Sequence, residues 1–497
     1  MVDQIGNNEE VSQFPAPIYA ETVLAVNFAD AQRYFLEALL EIHYAHTVML
    51  ARQRIIPLAV ARRCLQGLDS LDRAELARAT YDGKYEDLFF HVEAALDRAC
   101  GPENAGHMHT ARSRNDIDIT QYRMRLRIEI LDLVSAVNAL RKVLLATARE
   151  HIATIMPGYT HTQPAQPTTL AHYLLAVVEM LGRDEKRLKA AFATANRNPL
   201  GACAITTTGF PIDRHFTATL LGFEGLQLNS YGAIAATDYI TETAGAIATC
   251  MVNLGKVTQD FLLWCTAEFG FLRLSDAWVQ ISSIMPQKRN PVAFEHARIL
   301  ASKTLGHAQG ILIASHNTPF GDIVDSEDDL QPLVFTMTAE ASRVLRLFRG
   351  AVASCEVNAA RMAERANADF LSVTELADTL ARSEPMSFRD AHHIVSAAVR
   401  DLRGHYSPEA MVDAVLSANP LRTPREVLLN ALDPVNFVAI RRIPGGPALE
   451  PVTDAIREAE SEIAATEAWL ASKTALLAGY AARIREARDA LLASPKI

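Results

Sequence analysis

Aromatic residues are scarce in this chain, at 7%, and no uninterrupted apolar run approaches the length of a membrane span. With few aromatics and abundant Ala and Leu, the composition favours helix over sheet. Cysteine is sparse as well. Cys64, Cys100, Cys203, Cys250, Cys265 and Cys355 stand apart with no C-x-x-C pair, so neither a disulfide framework nor a zinc site is expected. In apolar helical surroundings, buried free thiols are the expected state. Positive charge is also in deficit, with 48 Lys and Arg against 58 Asp and Glu, a formal net charge of −10. That balance disfavours non-specific binding to nucleic acid or to an acidic membrane, but leaves room for a local basic pocket. The first 13 residues are acidic and polar and do not read as a signal peptide, so a cytoplasmic protein is expected.

What is present is helical periodicity on a large scale. The chain has 497 residues, 49% hydrophobic and 21% charged, enough for about three domains. After an irregular arm over 1–20, the spacing predicts a helix from Phe28 to Arg54 capped by Asn27, then helices opening at Pro57 and covering 86–99. Long helical runs follow over 117–155, 168–196, 233–269, 292–312 and 330–366, and an amphipathic one over 452–492. Strand signals are weak everywhere. Helices of this length exceed the ordinary globular range and point to an elongated bundle whose apolar stripes pair with other subunits. The fold class is therefore mainly α, divided at 1–115, 116–366 and 367–497, with the long-helix bundle in the middle part.

Three polar loops carry the chemistry. Ser113, Arg114 and Asn115 lie in the first, Thr160 and His161 in the second, and Ser282, Ser283, Lys288 and Asn290 in the third. Asn290-Pro291 reads as a helix N-cap followed by a first-turn proline, which places the third loop at a helix N-terminus suited to an anion. Arg offers a bidentate clamp for a carboxylate, and Lys with helix-terminal N–H groups can stabilise developing negative charge. A serine acts as a base only where its alkoxide is stabilised, a service Lys288 and the helix end could supply. The set suits proton abstraction beside a carboxylate followed by loss of a leaving group, with nothing that calls for a cofactor or metal. The competing reading is an ordinary polar surface loop. His392-His393 is not a metal pair, because consecutive residues do not share a helix face, and the Asp325–Asp329 acidic run reads as structural or solvated.

The segment Ile281-Ser-Ser-Ile-Met-Pro-Gln-Lys-Arg-Asn-Pro291 resembles the signature of the fumarase/aspartase superfamily. His109-Thr-Ala-Arg-Ser-Arg-Asn-Asp116, Pro157-Gly-Tyr-Thr-His161 and Asn198-Pro-Leu-Gly201 are most similar to argininosuccinate lyases, and the matches run in order from about 86 to 447. The resemblance implies a three-domain fumarase/aspartase-type subunit, a homotetramer with active sites shared between three subunits, and fumarate-releasing β-elimination without metal or organic cofactor. By position it makes Ser282 the base, while Lys288 and Asn290 hold the aci-carboxylate. His161, positioned by Glu295, is either acid or orienting group. Ser113, Arg114, Asn115 and Thr160 bind the succinyl carboxylates, with Met285 and Gln331 also at the substrate.

Departures from the pattern gather on the amine side. The family's Glu-Asp-Ile-His stands here as Glu86-Asp87-Leu88-Phe89, and its Tyr-Asn-x-Asp-Leu-Gln-Glu-Asp-Lys-Glu is replaced by the longer stretch from His316-Asn317 to Asp329-Leu330-Gln331. Gly before the serines is Ile281, which leads to the expectation that this loop hinges elsewhere. Intact fumarate chemistry beside a rewritten amine side implies another N-succinyl amine, best represented by ethylenediamine-N,N′-disuccinate. The alternatives are argininosuccinate itself and a non-catalytic structural protein on the same scaffold.

Overall fold

The computed structural model describes residues 14–402 and 404–493. It is mainly α. The first long helix, α1 (Ala25–Arg52), is preceded by helical turns from Pro17 to Leu24, so Asn27 lies inside a helix and caps nothing. Pro17 opens that run at the first-turn position proline favours. The rest of the expected irregular arm, residues 1–13, lies outside the described residues. Helices α2 (Leu58–Ser70) and α3 (Leu88–Cys100) follow, and Asp87 caps α3 by accepting from the Phe90 N–H at 2.9 Å. Helix α4 (Arg114–Glu150) begins three residues earlier than the periodicity predicts, because Ser113 and Asp116 form a reciprocal capping box.

The stretch 158–167 is not a loop but most of a β-hairpin, β1 (Ile155–Thr160) with β2 (Gln163–Thr169), Pro157 lying opposite Pro167. Its prolines mask the strand signal. In a two-stranded ribbon each strand is an edge, where a missing N–H can be tolerated. Helices α5 (Leu170–Ala195) and α6 (Asp238–Trp264) come next, then β3 (Leu272–Leu274), β4 (Gln280–Ile281) and β5 (Arg289–Asn290). Helices α7 (Val292–Ser315) and α8 (Gln331–Ala353) complete the bundle. The helix expected over 330–366 breaks after Ala353, where β6 (Cys355–Val357) pairs with β3. Helices α9 (Val373–Ser383), α10 (Phe388–Asp401), α11 (Pro408–Ala418) and α12 (Arg425–Leu432) share a separate small core. The amphipathic tail is two helices, α13 (Leu449–Ala478) and α14 (Tyr480–Ala493), divided at Gly479.

Helices α4 to α8 bury one continuous core, which α13 joins through Val452, Ile456 and Ile463. Ile484 of α14 joins the N-terminal core of Leu40, Leu65 and Leu96. At the middle of the bundle, buried Arg141 of α4 bonds Glu185 of α5 and Glu462 of α13, each at 2.7 Å, and donates to the Val178 carbonyl at 3.1 Å. Gly182 makes room for it, since a Cβ there would lie 2.8 Å from the guanidinium. Arg141 to Val178 and Arg123 to Thr194 also show that α4 and α5 run antiparallel. With 37 residues α4 is about 55 Å long. Whatever lies before it is therefore far from the hairpin that follows it.

Candidate active site

At the Arg114 end, Asp116 is fully buried and ties two loops together. Its carboxylate accepts from the N–H groups of Ser113 (2.9 Å), Gly201 (2.8 Å) and Cys203 (3.0 Å), while the Asn115 amide donates to the Ala204 carbonyl at 2.7 Å. Burial raises the Asp116 pKa against the lowering effect of these three donors. Beneath the loop, buried Arg112 lies 2.9 Å from the His43 Nδ1, and burial together with that cation keeps His43 well below the ordinary histidine range. Arg112 is thus held within the fold, with no exposed side-chain surface. Sequence reasoning missed Asp116 as a clamp; the signal available was a carboxylate three residues after Ser113.

Arg114 pairs with Asp87 at 2.8 Å and Glu86 at 3.3 Å. Phe89, which stands where the family pattern has His, is buried between the rings of His43, Phe90 and His109. Gln331 corrects an expectation: it is 1% exposed and donates to the Ser326 carbonyl at 3.2 Å, so it braces its own loop rather than facing a substrate. The acidic run divides between the two expected roles: Asp325 and Asp329 are exposed, while Glu327 and Asp328 are half-buried and Tyr122 donates to Asp328 at 2.8 Å.

The other two loops lie at the opposite end. His161 and Thr162 form the two-residue turn of the hairpin, with φ of 50° and 60°. Two left-handed residues are what a tight hairpin turn of matching twist requires, and in non-glycine residues this conformation stores strain. Both side chains are exposed. Tyr159 anchors the hairpin against Phe269, with ring centroids 5.7 Å apart.

Residues 282–288 form the tip of a second hairpin, in which Gln280 pairs with Asn290 and Ile281 with Arg289. Ile281 is extended and 76% exposed, so the residue in place of glycine meets no backbone conflict here. The Asn290 amide donates to the Gln280 carbonyl at 3.0 Å. Asn290 therefore closes the hairpin and does not cap α7, which begins at Val292 with Pro291 in the cap position. The Ser282 Oγ accepts from the N–H groups of Ile284 (3.3 Å) and Met285 (3.0 Å). Those two donors take the part expected of the α7 terminus, because both would stabilise negative charge on Oγ. Lys288 is exposed at the same tip, as is Met285 at 38%.

Within one chain the three loops do not meet. Among the described residues no hydrogen bond or ion pair joins His161 to exposed Glu295, or Ser282 to Ser113, Arg114 or Asn115. The expected His161–Glu295 contact is thus absent inside the subunit. Nor is any group of three His, Cys, Asp or Glu among the described residues arranged to hold a metal ion, and none of their helices is long and apolar enough to cross a membrane.

A lyase family model matches residues 78–306, and a model described as the argininosuccinate lyase C-terminal region matches 370–439. Argininosuccinate lyase 2 of Agrobacterium fabrum is 40% identical, the match covering 99% of each chain. Argininosuccinate lyase of Methanoculleus marisnigri is 39% identical over 90% of this chain and 92% of its own. A crystal structure of EDDS lyase in complex with formate superposes with a TM-score of 0.83 at 30% identity, covering 94% of this chain and 93% of the other. The chain belongs to the fumarase/aspartase superfamily as an argininosuccinate-lyase-like member. In that capacity it is a carbon–nitrogen lyase of the fumarate-releasing kind.

Proposed function

We propose that this lyase acts on an N-succinyl amine of the aminopolycarboxylate type, ethylenediamine-N,N′-disuccinate being the best representative, in sites shared between three subunits of a homotetramer. The observation that carries the shared site is the separation of Ser113–Asn115 from the Ser282 and His161 tips by the length of α4. In this reading other copies of the chain bring these groups together. Exposed Val252 on α6 and Ile299, Leu312 and Ile313 on α7 supply apolar surface for such packing. The chain is read as 1–115, 116–366 and 367–497, with α13 and α14 returning from the last part to brace the first two.

In the reaction, the Ser282 oxygen takes the proton from the succinyl carbon next to the departing C–N bond's carbon. The electron pair left behind delocalises into the adjacent carboxylate as an aci-carboxylate, held by Lys288 and Asn290 more tightly than the ground state. Collapse of that intermediate forms the fumarate double bond and expels the amine, to which His161 delivers a proton or which it orients, with Glu295 of a neighbouring copy as its partner. Ser113, Arg114, Asn115 and Thr160 bind the succinyl carboxylates, and Met285 lines the closed site. No step requires a metal or organic cofactor, and the protein is read as cytoplasmic with a small-molecule substrate. The EDDS lyase likeness at a TM-score of 0.83 and the altered 316–331 segment support this substrate. Argininosuccinate is the second reading, favoured by the 40% identity to the Agrobacterium enzyme. Incubation with each compound, followed by the rise in fumarate absorbance, separates the two; faster turnover of argininosuccinate would overturn the first.

A further inference from the structure

We propose that His46, with His43 beside it, is a positioning residue for the carboxylate-binding loop, holding Ser113–Asn115 in place through the turn at Ala111. The inference rests on the reading of Ser113, Arg114 and Asn115 as binders of the succinyl carboxylates. His43 and His46 stand three residues apart on α1, are both fully buried, and share one face. From that face the His46 Nε2 meets the Thr110 carbonyl at 2.8 Å, and the Arg112 guanidinium meets the His43 Nδ1 at 2.9 Å. The partners fix both rings. A carbonyl only accepts, so the His46 Nε2 carries a hydrogen; a guanidinium only donates, so the His43 Nδ1 carries none. Both imidazoles are neutral, since burial first and Arg112 next bring His46 down to about 3 and keep His43 well below the ordinary histidine range.

The two bonds grip the residues on either side of Ala111, whose φ is 61°. A residue with a Cβ resists that left-handed conformation and keeps it only where its surroundings overdetermine it. Were Ala111 to relax to a negative φ, Ser113 and the first turn of α4 would leave their present line. Asp116 ties the loop to the Gly201 segment, and the histidine pair ties it to α1. The fold keeps this second grip at a cost. The His43 Nε2, the His46 Nδ1 and the Arg112 Nε and Nη1 are buried with no hydrogen-bond partner among the described residues. Apolar side chains at these positions would remove that cost. Polar groups buried so beside a strained turn mark a place where position outweighs stability.

The test measures kcat and KM of the full chain with ethylenediamine-N,N′-disuccinate or argininosuccinate, whichever the parent turns over faster. His46→Leu removes the donor and should raise KM about tenfold while kcat falls less than about threefold. His46→Gln sets an N–H donor where Nε2 stood and should return KM to within about threefold of the parent. Adding Ala111→Gly to His46→Leu should recover part of the loss, because glycine takes the left-handed conformation without strain. A residue that only stabilises the fold would leave KM unchanged in every folded variant, and that outcome overturns the proposal. So does a loss confined to kcat. If circular dichroism shows His46→Leu unfolded, Ala111→Val decides, since its branched Cβ resists a φ of 61°. A KM about fivefold higher in that variant supports the role of the turn, and an unchanged KM overturns it. Asn115→Ala separates this inference from the reading beneath it. An unchanged KM there would overturn the carboxylate-binding reading and the inference with it. A raised KM there beside an unaffected His46→Leu would overturn the positioning role alone.

Discussion

The two ends of the long-helix bundle are built on opposite plans. At the Arg114 end the loop residues of the candidate site are held by their own chain: Asp116 holds three N–H groups, Asn115 a carbonyl, and Arg114 two carboxylates. At the hairpin end, His161, Lys288 and Glu295 project from exposed positions without a side-chain partner among the described residues. The difference shows which half is preorganised by its own chain, and in the proposed assembly it is the other half that neighbouring copies complete. A half held by buried hydrogen bonds keeps its shape alone, whereas exposed side chains on short hairpins gain fixed positions only when neighbouring copies enclose them.

The largest expected effect tests the exposed half. Ser282→Ala should lower kcat by about 10³- to 10⁴-fold, the scale of losing a positioned base, while circular dichroism and gel filtration stay unchanged. Substantial activity in that variant would move the base elsewhere. The second effect concerns the girder that keeps the ends apart. Arg141→Ala leaves Glu185, its partner at 2.7 Å, buried without a cation, and should cost about 3–5 kcal/mol in chemical denaturation. A loss under 1 kcal/mol would show that Lys189 or water replaces the guanidinium.

Asp116→Asn probes the preorganised half more gently. One of its two oxygens becomes an NH₂ group facing a backbone N–H, so a buried donor goes unpaired at a cost of about 1–3 kcal/mol. Because the Ser113 and Gly201 loops would then loosen together, KM for the succinyl substrate should rise more than kcat falls. Steady-state kinetics check this, and a pure kcat loss would place Asp116 in the chemical step.

How much of this was legible beforehand follows the same division. Periodicity gives the long helices because apolar spacing over many turns survives local exceptions, and motif spacing gives Ser282, Lys288 and His161. Their setting was less legible. Prolines at 157, 164 and 167 concealed the first hairpin, and Asn290-Pro291 resembled a cap although Asn290 pairs across a strand to Gln280. Gln331 matched a motif by letters but is buried under Ser326. Which part of the acidic run is structural was not legible, because contacts between 118–122 and 327–328 join residues about two hundred positions apart, which no local pattern reports.

The smallest effect separates the two plans by pH. In the fold, burial and the neighbouring Asp322 and Asp328 push the Glu327 carboxyl up to about 8, against about 4.5 for a free glutamate. Between these values the unfolded chain has released its proton while the folded chain still holds one, so each step up in pH removes stability, and the loss is complete above the folded value. Glu327→Gln abolishes that titration. The melting temperature of the variant relative to the parent should therefore climb from pH 5 to pH 8 and then level. After discounting for solvent screening at a half-buried group, the gain is about 1 kcal/mol. If the difference stayed flat instead, the carboxylates at the Arg114 end would be as independent as those in solvent, and the contrast between the two ends would reduce to one of shape alone.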